Sequence, residues 1–147
     1  MGIFKAKERL KILFVATEAA PFVKVGGLGS VLYSLPRALR ELGHDARVMI
    51  PKYLSVDEAV YKLKLDYKGL KVPTGNDDGP TDLISNVKRY DPEEDSDPVT
   101  TYFLENQEYY EQRANVYGYA DDAVRWALLC RGTLEFIRSS KSWIPDV

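Results

Sequence analysis

Apolar positions along this chain occur as unbroken runs, as steps of three and four, and in strict alternation. Each pattern predicts an element. Leu10 to Ala16 contains Ile12, Leu13, Phe14 and Val15 without a polar break, which predicts a strand buried on both faces. From Leu28 to Leu42 the apolar residues Leu28, Val31, Leu32, Leu35, Leu39 and Leu42 predict one face of a helix. Pro36 inside it predicts a kink, and Gly43 a left-handed cap. Asp45 to Ile50 predicts a second strand, ended by Pro51. A strand–helix–strand of this length is a right-handed crossover between parallel strands.

Beyond Pro51 the pattern changes. Tyr61, Leu63, Leu65 and Tyr67 alternate with Lys62, Lys64 and Asp66, which predicts a half-exposed strand. Gly69 to Pro80 predicts turns, and Leu83 to Tyr90 a further strand. Asp91 to Pro98 predicts a solvated acidic hairpin tip, and Val99 to Leu104 a buried strand. A last helix opens at Asp121 and Asp122. Ala123, Trp126, Ala127, Cys130, Leu134 and Ile137 form its predicted apolar face, with Arg125, Arg131, Glu135 and Arg138 solvated. Trp143 to Val147 reads as a turn entering a new strand. Together these elements predict an α/β fold with a mainly parallel sheet.

Composition narrows the function classes. The 147 residues are the size of one domain, and 45% of them are apolar, enough for a real core. A net charge of −2 implies no general affinity for nucleic acid. No run approaches the ~18–20 apolar residues of a membrane span. Met1 to Arg9 lacks the apolar core of a signal peptide and predicts a frayed end. Cys130 is the only cysteine, so no internal disulfide can form; a small core residue in a reducing cytoplasm fits it.

The chemistry concentrates in Ala16 to Ser30, where a strand leads through a loop and a glycine-rich turn onto a helix. Unpaired N–H groups and the positive end of the helix dipole favour an anion above Gly26 and Gly27. Lys24 adds a mobile charge two residues before them, so a phosphate or diphosphate suits the site. A tight turn without a ligand explains the same glycines. Two common nucleotide fingerprints fail: a P-loop needs its lysine after the glycines, and a dinucleotide fold needs glycine where Leu32 stands. No cofactor is therefore expected. Tyr117 and Tyr119 could stack on sugars or pack at a rim; Asp121 and Asp122 could cap the helix or contact a sugar.

Lys24-Val25-Gly26-Gly27-Leu28 after Glu18-x-x-Pro21 resembles the N-terminal signature of the bacterial glycogen synthases and plant starch synthases. Leu35-Pro36, Gly43-His44, Ile50-Pro51-Lys52-Tyr53 and the stretch from Tyr117 to Ala127 are similar to the same family. The likeness is weakest over about residues 55–100. It implies the N-terminal, acceptor-side half of a Rossmann-like GT-B glycosyltransferase, cut before its later strands and without its nucleotide-binding domain. The implied reaction is retaining transfer of glucose from ADP-glucose to the 4-hydroxyl of an α-1,4-glucan, without a metal, by a cytoplasmic enzyme. Lys24 matches the family's donor-binding lysine. Gly26 and Gly27 match the amides that serve the departing diphosphate, and Glu18 a glutamate near the reacting sugar. One departure is Ser30, which stands where the family usually has an acidic residue; it can cap a helix but supplies no carboxylate. The chain alone is expected to be inactive and to associate through its uncovered sheet edge. A non-catalytic glucan or nucleotide-sugar binding module, or a transferase using UDP-glucose, are the alternatives.

Overall fold

The computed structural model describes residues 8–75, 77–93 and 98–147. The predicted frayed end lies largely outside them, and so does the centre of the acidic tip. Five strands form one mixed sheet: β1 (Lys11–Val15), β2 (Asp45–Pro51), β3 (Lys64–Pro73), β4 (Asp82–Tyr90) and β5 (Thr101–Glu105). Among the described residues two α-helices accompany it, α1 (Gly27–Glu41) and α2 (Asp122–Ser140), with a short π-helical turn over Gln107–Glu111. The spatial order is β1-β2-β5-β4-β3. β1, β2 and β5 run parallel, and β4 and β3 continue antiparallel from β5. The α/β expectation holds, with the Rossmann-like β1-α1-β2 unit at its start.

The core lies on β2 and β5, the two innermost parallel strands. Ala46, Val48, Met49 and Ile50 of β2 and Tyr102, Phe103 and Leu104 of β5 are buried. β1 departs from expectation. Ile12, Leu13 and Phe14 are only partly buried and Val15 is 43% exposed, because β1 is the outermost parallel strand. Its outer edge is met by the chain's last residues. Val147 N–H donates to Lys11 C=O at 3.3 Å, and Leu13 N–H to Val147 C=O at 2.9 Å, the pattern of a parallel ladder. The predicted strand entry at Val147 is thus seen in its hydrogen bonds.

Both helices present unexpected faces. α1 turns Gly29, Leu32 and Pro36 inward. Leu28, Val31, Leu35 and Leu42 of the predicted face remain 43–57% exposed. The helix runs unbroken through Pro36, and Gly43 closes it at φ +95°. Gly43 N–H donates to Arg40 C=O and His44 N–H to Leu39 C=O, the paired bonds of a Schellman cap. α2 is rotated by about one residue from the predicted face. Arg125, Leu128, Leu129, Gly132, Thr133 and Phe136 are buried, whereas Ala123, Ala127, Cys130 and Leu134 are exposed. Cys130 is therefore a surface thiol and not a core residue.

The physical reason lies at Gly132. A Cβ there would stand 2.7 Å from Leu104 Cδ2. Only glycine lets α2 lie this close to β5, and that contact selects which apolar stripe turns inward. Gly132→Ala forces overpacking against a fully buried leucine. It is expected to destabilise the fold by about 1–3 kcal/mol, measured by urea denaturation.

The other departures are smaller. β3 extends through Gly69 to Pro73, where turns were predicted, and starts three residues after Tyr61. Asp45 ties the start of β2 to Arg47 and Arg40, each at 3.1 Å, and accepts the Trp143 indole N–H at 2.8 Å. Burial opposes ionisation of this carboxyl, but Arg47, Trp143 and Arg40 outweigh it and hold it below the usual aspartate range. A carboxyl so depressed lends stability that is complete above its unfolded value and lost as pH falls through the folded one. Stability should therefore decline below about pH 4, and Asp45→Asn should flatten that part of a pH–stability profile.

Candidate functional site

Residues 16–26 connect β1 to α1, at the carboxyl end of the parallel strands, where open α/β sheets place their ligands. Phe22 pegs this loop to the core, its ring 4.7 Å from that of Tyr61, 5.2 Å from Tyr90 and 5.1 Å from Phe103. Val23 N–H donates to Ala19 C=O, and Ala20 N–H to Gly29 C=O. Tyr53, just after β2, donates its hydroxyl to Thr17 C=O at 2.7 Å.

Glu18 organises the glycine turn from inside. It is 3% exposed. Its Oε2 accepts the Val25 N–H and, at 3.0 Å, the Gly26 N–H; its Oε1 accepts the Tyr117 hydroxyl at 3.2 Å. Burial pushes the carboxyl up, but the N–H groups of Val25 and Gly26, the Tyr117 hydroxyl and the Gly29 N–H prevail, so it sits below the ordinary glutamate range. A buried carboxylate with both oxygens engaged shapes the loop. The same bonds alter the part of Gly26, whose N–H is taken by Glu18.

Gly27 remains open. It is the first residue of α1 and is exposed, and among the described residues no acceptor meets its N–H. A Cβ on it would touch nothing within 4 Å, so a guest can approach its backbone. Lys24, three residues earlier, is also exposed. The first turn of α1 contains no carboxylate, so nothing on the helix competes with an anion there. Ser30 lies inside that turn and not at its cap, which is Gly26. Gly29 serves packing, since a Cβ would come within 3.1 Å of Glu18 Oε2 and 3.2 Å of Lys24 Cα.

The segment between β5 and α2, which carries Tyr109, Tyr110, Tyr117 and Tyr119, meets the loop at Tyr117, whose hydroxyl lies 2.6 Å from Thr17 Oγ1. The three proposed sugar contacts all have internal partners. The Tyr119 hydroxyl accepts the Asn115 N–H at 2.9 Å. Asp121 pairs with both terminal nitrogens of Arg113, at 2.9 and 2.6 Å. Asp122 accepts from Arg125 at 2.7 Å and from the Gly118 N–H at 2.9 Å. Asp121 occupies the cap position of α2 but makes no side-chain cap bond. The residue that sequence reasoning misplaced is Arg125, taken as solvated and found fully buried. Two aspartates three and four residues before an arginine were the available signal.

One group of carboxylates has cation-ligand spacing among the described residues: Glu58, Glu105 and Glu111. Lysines already answer it. Buried Lys52 lies 3.5 Å from Glu58 and 3.3 Å from Glu111, and Lys88 lies 2.7 Å from Glu105. No helix among the described residues is long and apolar enough to cross a membrane.

Comparison with known proteins agrees with this architecture. A glycogen synthase of Clostridium acetobutylicum is 39% identical over 138 residues, covering 94% of this chain and 27% of that protein. One from Geobacillus stearothermophilus is 40% identical over 140 residues, covering 94% of this chain and 26% of its own length. The catalytic domain of starch synthase IV from Arabidopsis thaliana, solved with ADP and acarbose, superposes with a TM-score of 0.79 at 27% identity. That match covers 95% of this chain and 27% of the plant chain, and places the fold among the GT-B glycosyltransferases. The chain thus spans about a quarter of the relatives it matches. A family model described as the starch synthase catalytic domain matches residues 11–147, and with the Lys24–Gly27 turn at its expected place this chain belongs to that family.

Proposed function

We propose that this chain is the N-terminal, acceptor-side part of a retaining glucosyltransferase that moves glucose from ADP-glucose to the non-reducing end of an α-1,4-glucan. The carrying observation is the open N-terminus of α1, where the Gly27 backbone is exposed and unobstructed and an exposed Lys24 stands three residues earlier on the same turn. Charge grows on the diphosphate oxygens as the glucosyl bond breaks. A fixed amide, a helix dipole and a cation stabilise that charge without rearranging. The ADP in the Arabidopsis relative supports a nucleoside diphosphate as the guest, and the acarbose there supports a glucan-like partner. Glu18 and Tyr117 hold the turn; Lys24 and Gly27 meet the substrate.

On this reading the C-terminal nucleotide-binding domain lies outside the 147 residues, and the chain by itself does not turn over. On the same reading the enzyme is cytoplasmic, which the single cysteine fits. A different donor, such as UDP-glucose, is the second reading. It is favoured by Ser30, which leaves the first turn of α1 without a carboxylate.

The test is transfer of labelled glucose to glycogen, run with this chain and with the complete enzyme, using ADP-glucose and UDP-glucose in parallel. Transfer by the complete enzyme from ADP-glucose alone supports the first reading. Preference for UDP-glucose selects the second. Glucan retention by both forms without transfer from either donor replaces both with a binding module.

A further inference from the structure

The proposed reaction makes no use of Arg125, yet it is among the most completely buried side chains of the protein. Burying a guanidinium is costly unless its donors are answered, and here most are. Its Nε donates to Tyr109 C=O at 2.7 Å. Its Nη1 donates to Val116 C=O and to Asp122 Oδ1, each at 2.7 Å. The rings of Trp126 and Tyr119 lie 4.6 and 4.9 Å from its charge centre. Its Nη2 has no partner.

The bonds fall in a meaningful place. Val116 and Gly118 flank Tyr117. Arg125 holds the carbonyl on one side, and Asp122, paired to Arg125, holds the Gly118 N–H on the other at 2.9 Å. Gly118 has φ +98°, a conformation that favours glycine and turns the chain sharply after Tyr117. The tyrosine is clamped on both sides, its ring is packed against Trp126 at 5.8 Å, and its hydroxyl reaches Thr17 and Glu18. Glu18 in turn holds Val25 and Gly26.

We infer that Arg125, through its pair with Asp122, is a positioning residue for the glycine turn: it fixes Tyr117, Tyr117 orients Glu18, and Glu18 sets which backbone N–H groups the turn leaves open. This rests on the proposed function only in taking that turn as the ligand-bearing element. The chain of contacts links two stretches whose meeting residues stand 99 positions apart, so it joins α2 to the start of α1 without touching a substrate. Lysine cannot reproduce it, because a single ammonium lacks the planar fork that meets Tyr109, Val116 and Asp122 together.

The experiment reads the turn directly and needs no ligand. The Glu18 carboxyl of the full chain is titrated by carbon NMR, and the Val25 and Gly26 amides are followed in the same samples. The ionisable groups around Glu18 include Tyr117, Tyr53 from just after β2, and Lys24, whose stem and the Glu18 carboxylate both border Gly29. Losing the Tyr117 hydrogen bond removes a contact that favours the carboxylate, so Tyr117→Phe shifts the titration upward. Arg125→Lys is expected to give the same upward shift, and the double variant no further shift. The inference is overturned if Tyr117→Phe leaves Glu18 unmoved, if folded Arg125→Lys leaves it unmoved, or if the two shifts add. Where Arg125→Lys fails to fold, Asp122→Asn serves in its place, with the same shift expected and its absence equally decisive. Donor use in the transfer assay is scored separately. Failure of the proposed function with the Glu18 shifts intact removes the substrate and keeps the clamp.

Discussion

Lys24→Ala is expected to lower glucose transfer from ADP-glucose by about 10²–10³-fold in the complete enzyme, the range found when one preorganised stabiliser of developing charge is removed. Lys24 is exposed, so its loss disturbs little packing. Its partner would be the diphosphate as it departs, and the interaction strengthens as charge moves onto those oxygens. The effect should therefore fall mainly on kcat, with a smaller rise in KM. Lys24→Arg keeps a charge at the end of a long stem and should recover part of the rate. The thermal midpoint should stay within the range of ordinary surface substitutions. Equal turnover by Lys24→Ala and the parent would remove Lys24 from the reaction and leave the Gly27 end of α1 without its cation.

Arg125→Met is expected to be the most damaging single substitution for stability, about 3–5 kcal/mol, as when one partner of a buried ion pair is removed. Methionine fills much of the volume but leaves the Tyr109 and Val116 carbonyls without their donor and Asp122 without its cation. For a domain of this size that corresponds to a drop of roughly 10 °C in Tm, checked by calorimetry. Tyr117→Phe removes one partly exposed hydroxyl and should cost no more than about 1.5 kcal/mol. The contrast separates the foundation of the segment from the contact it carries. Similar losses for both would mean that the Thr17–Tyr117–Glu18 contact, and not the buried guanidinium, holds residues 106–122.

Much of the fold was legible from local rules. The apolar run before the glycines, the cap at Gly43 and Pro51 at the end of the second strand marked β1-α1-β2 within a residue or two. The acidic tip between two apolar stretches marked the β4–β5 connection. Such features depend on backbone conformation and near neighbours, which sequence records directly. The helix faces were not legible. α2 has apolar residues around most of its circumference, so steps of three and four can be drawn through more than one stripe. The contact between Gly132 and Leu104 chooses among them, and Gly132 is the residue that a search for apolar positions passes over.

At the site, what the sequence by itself determined is the chemistry on offer: a strand, a glycine turn and a helix start that together expose N–H groups, with Lys24 alongside and no carboxylate in the helix's first turn. Only the tertiary structure decided who uses those groups. Residues 99 positions apart meet when Tyr117 reaches Glu18, and that meeting turns Glu18 inward, occupies Gly26 and leaves Gly27 open. Arg125 and Asp122, polar residues in a helix, became an internal clamp for the same reason. A charged side chain is buried when distant carbonyls and carboxylates converge on it, and such convergence is a property of the folded chain that no local pattern encodes.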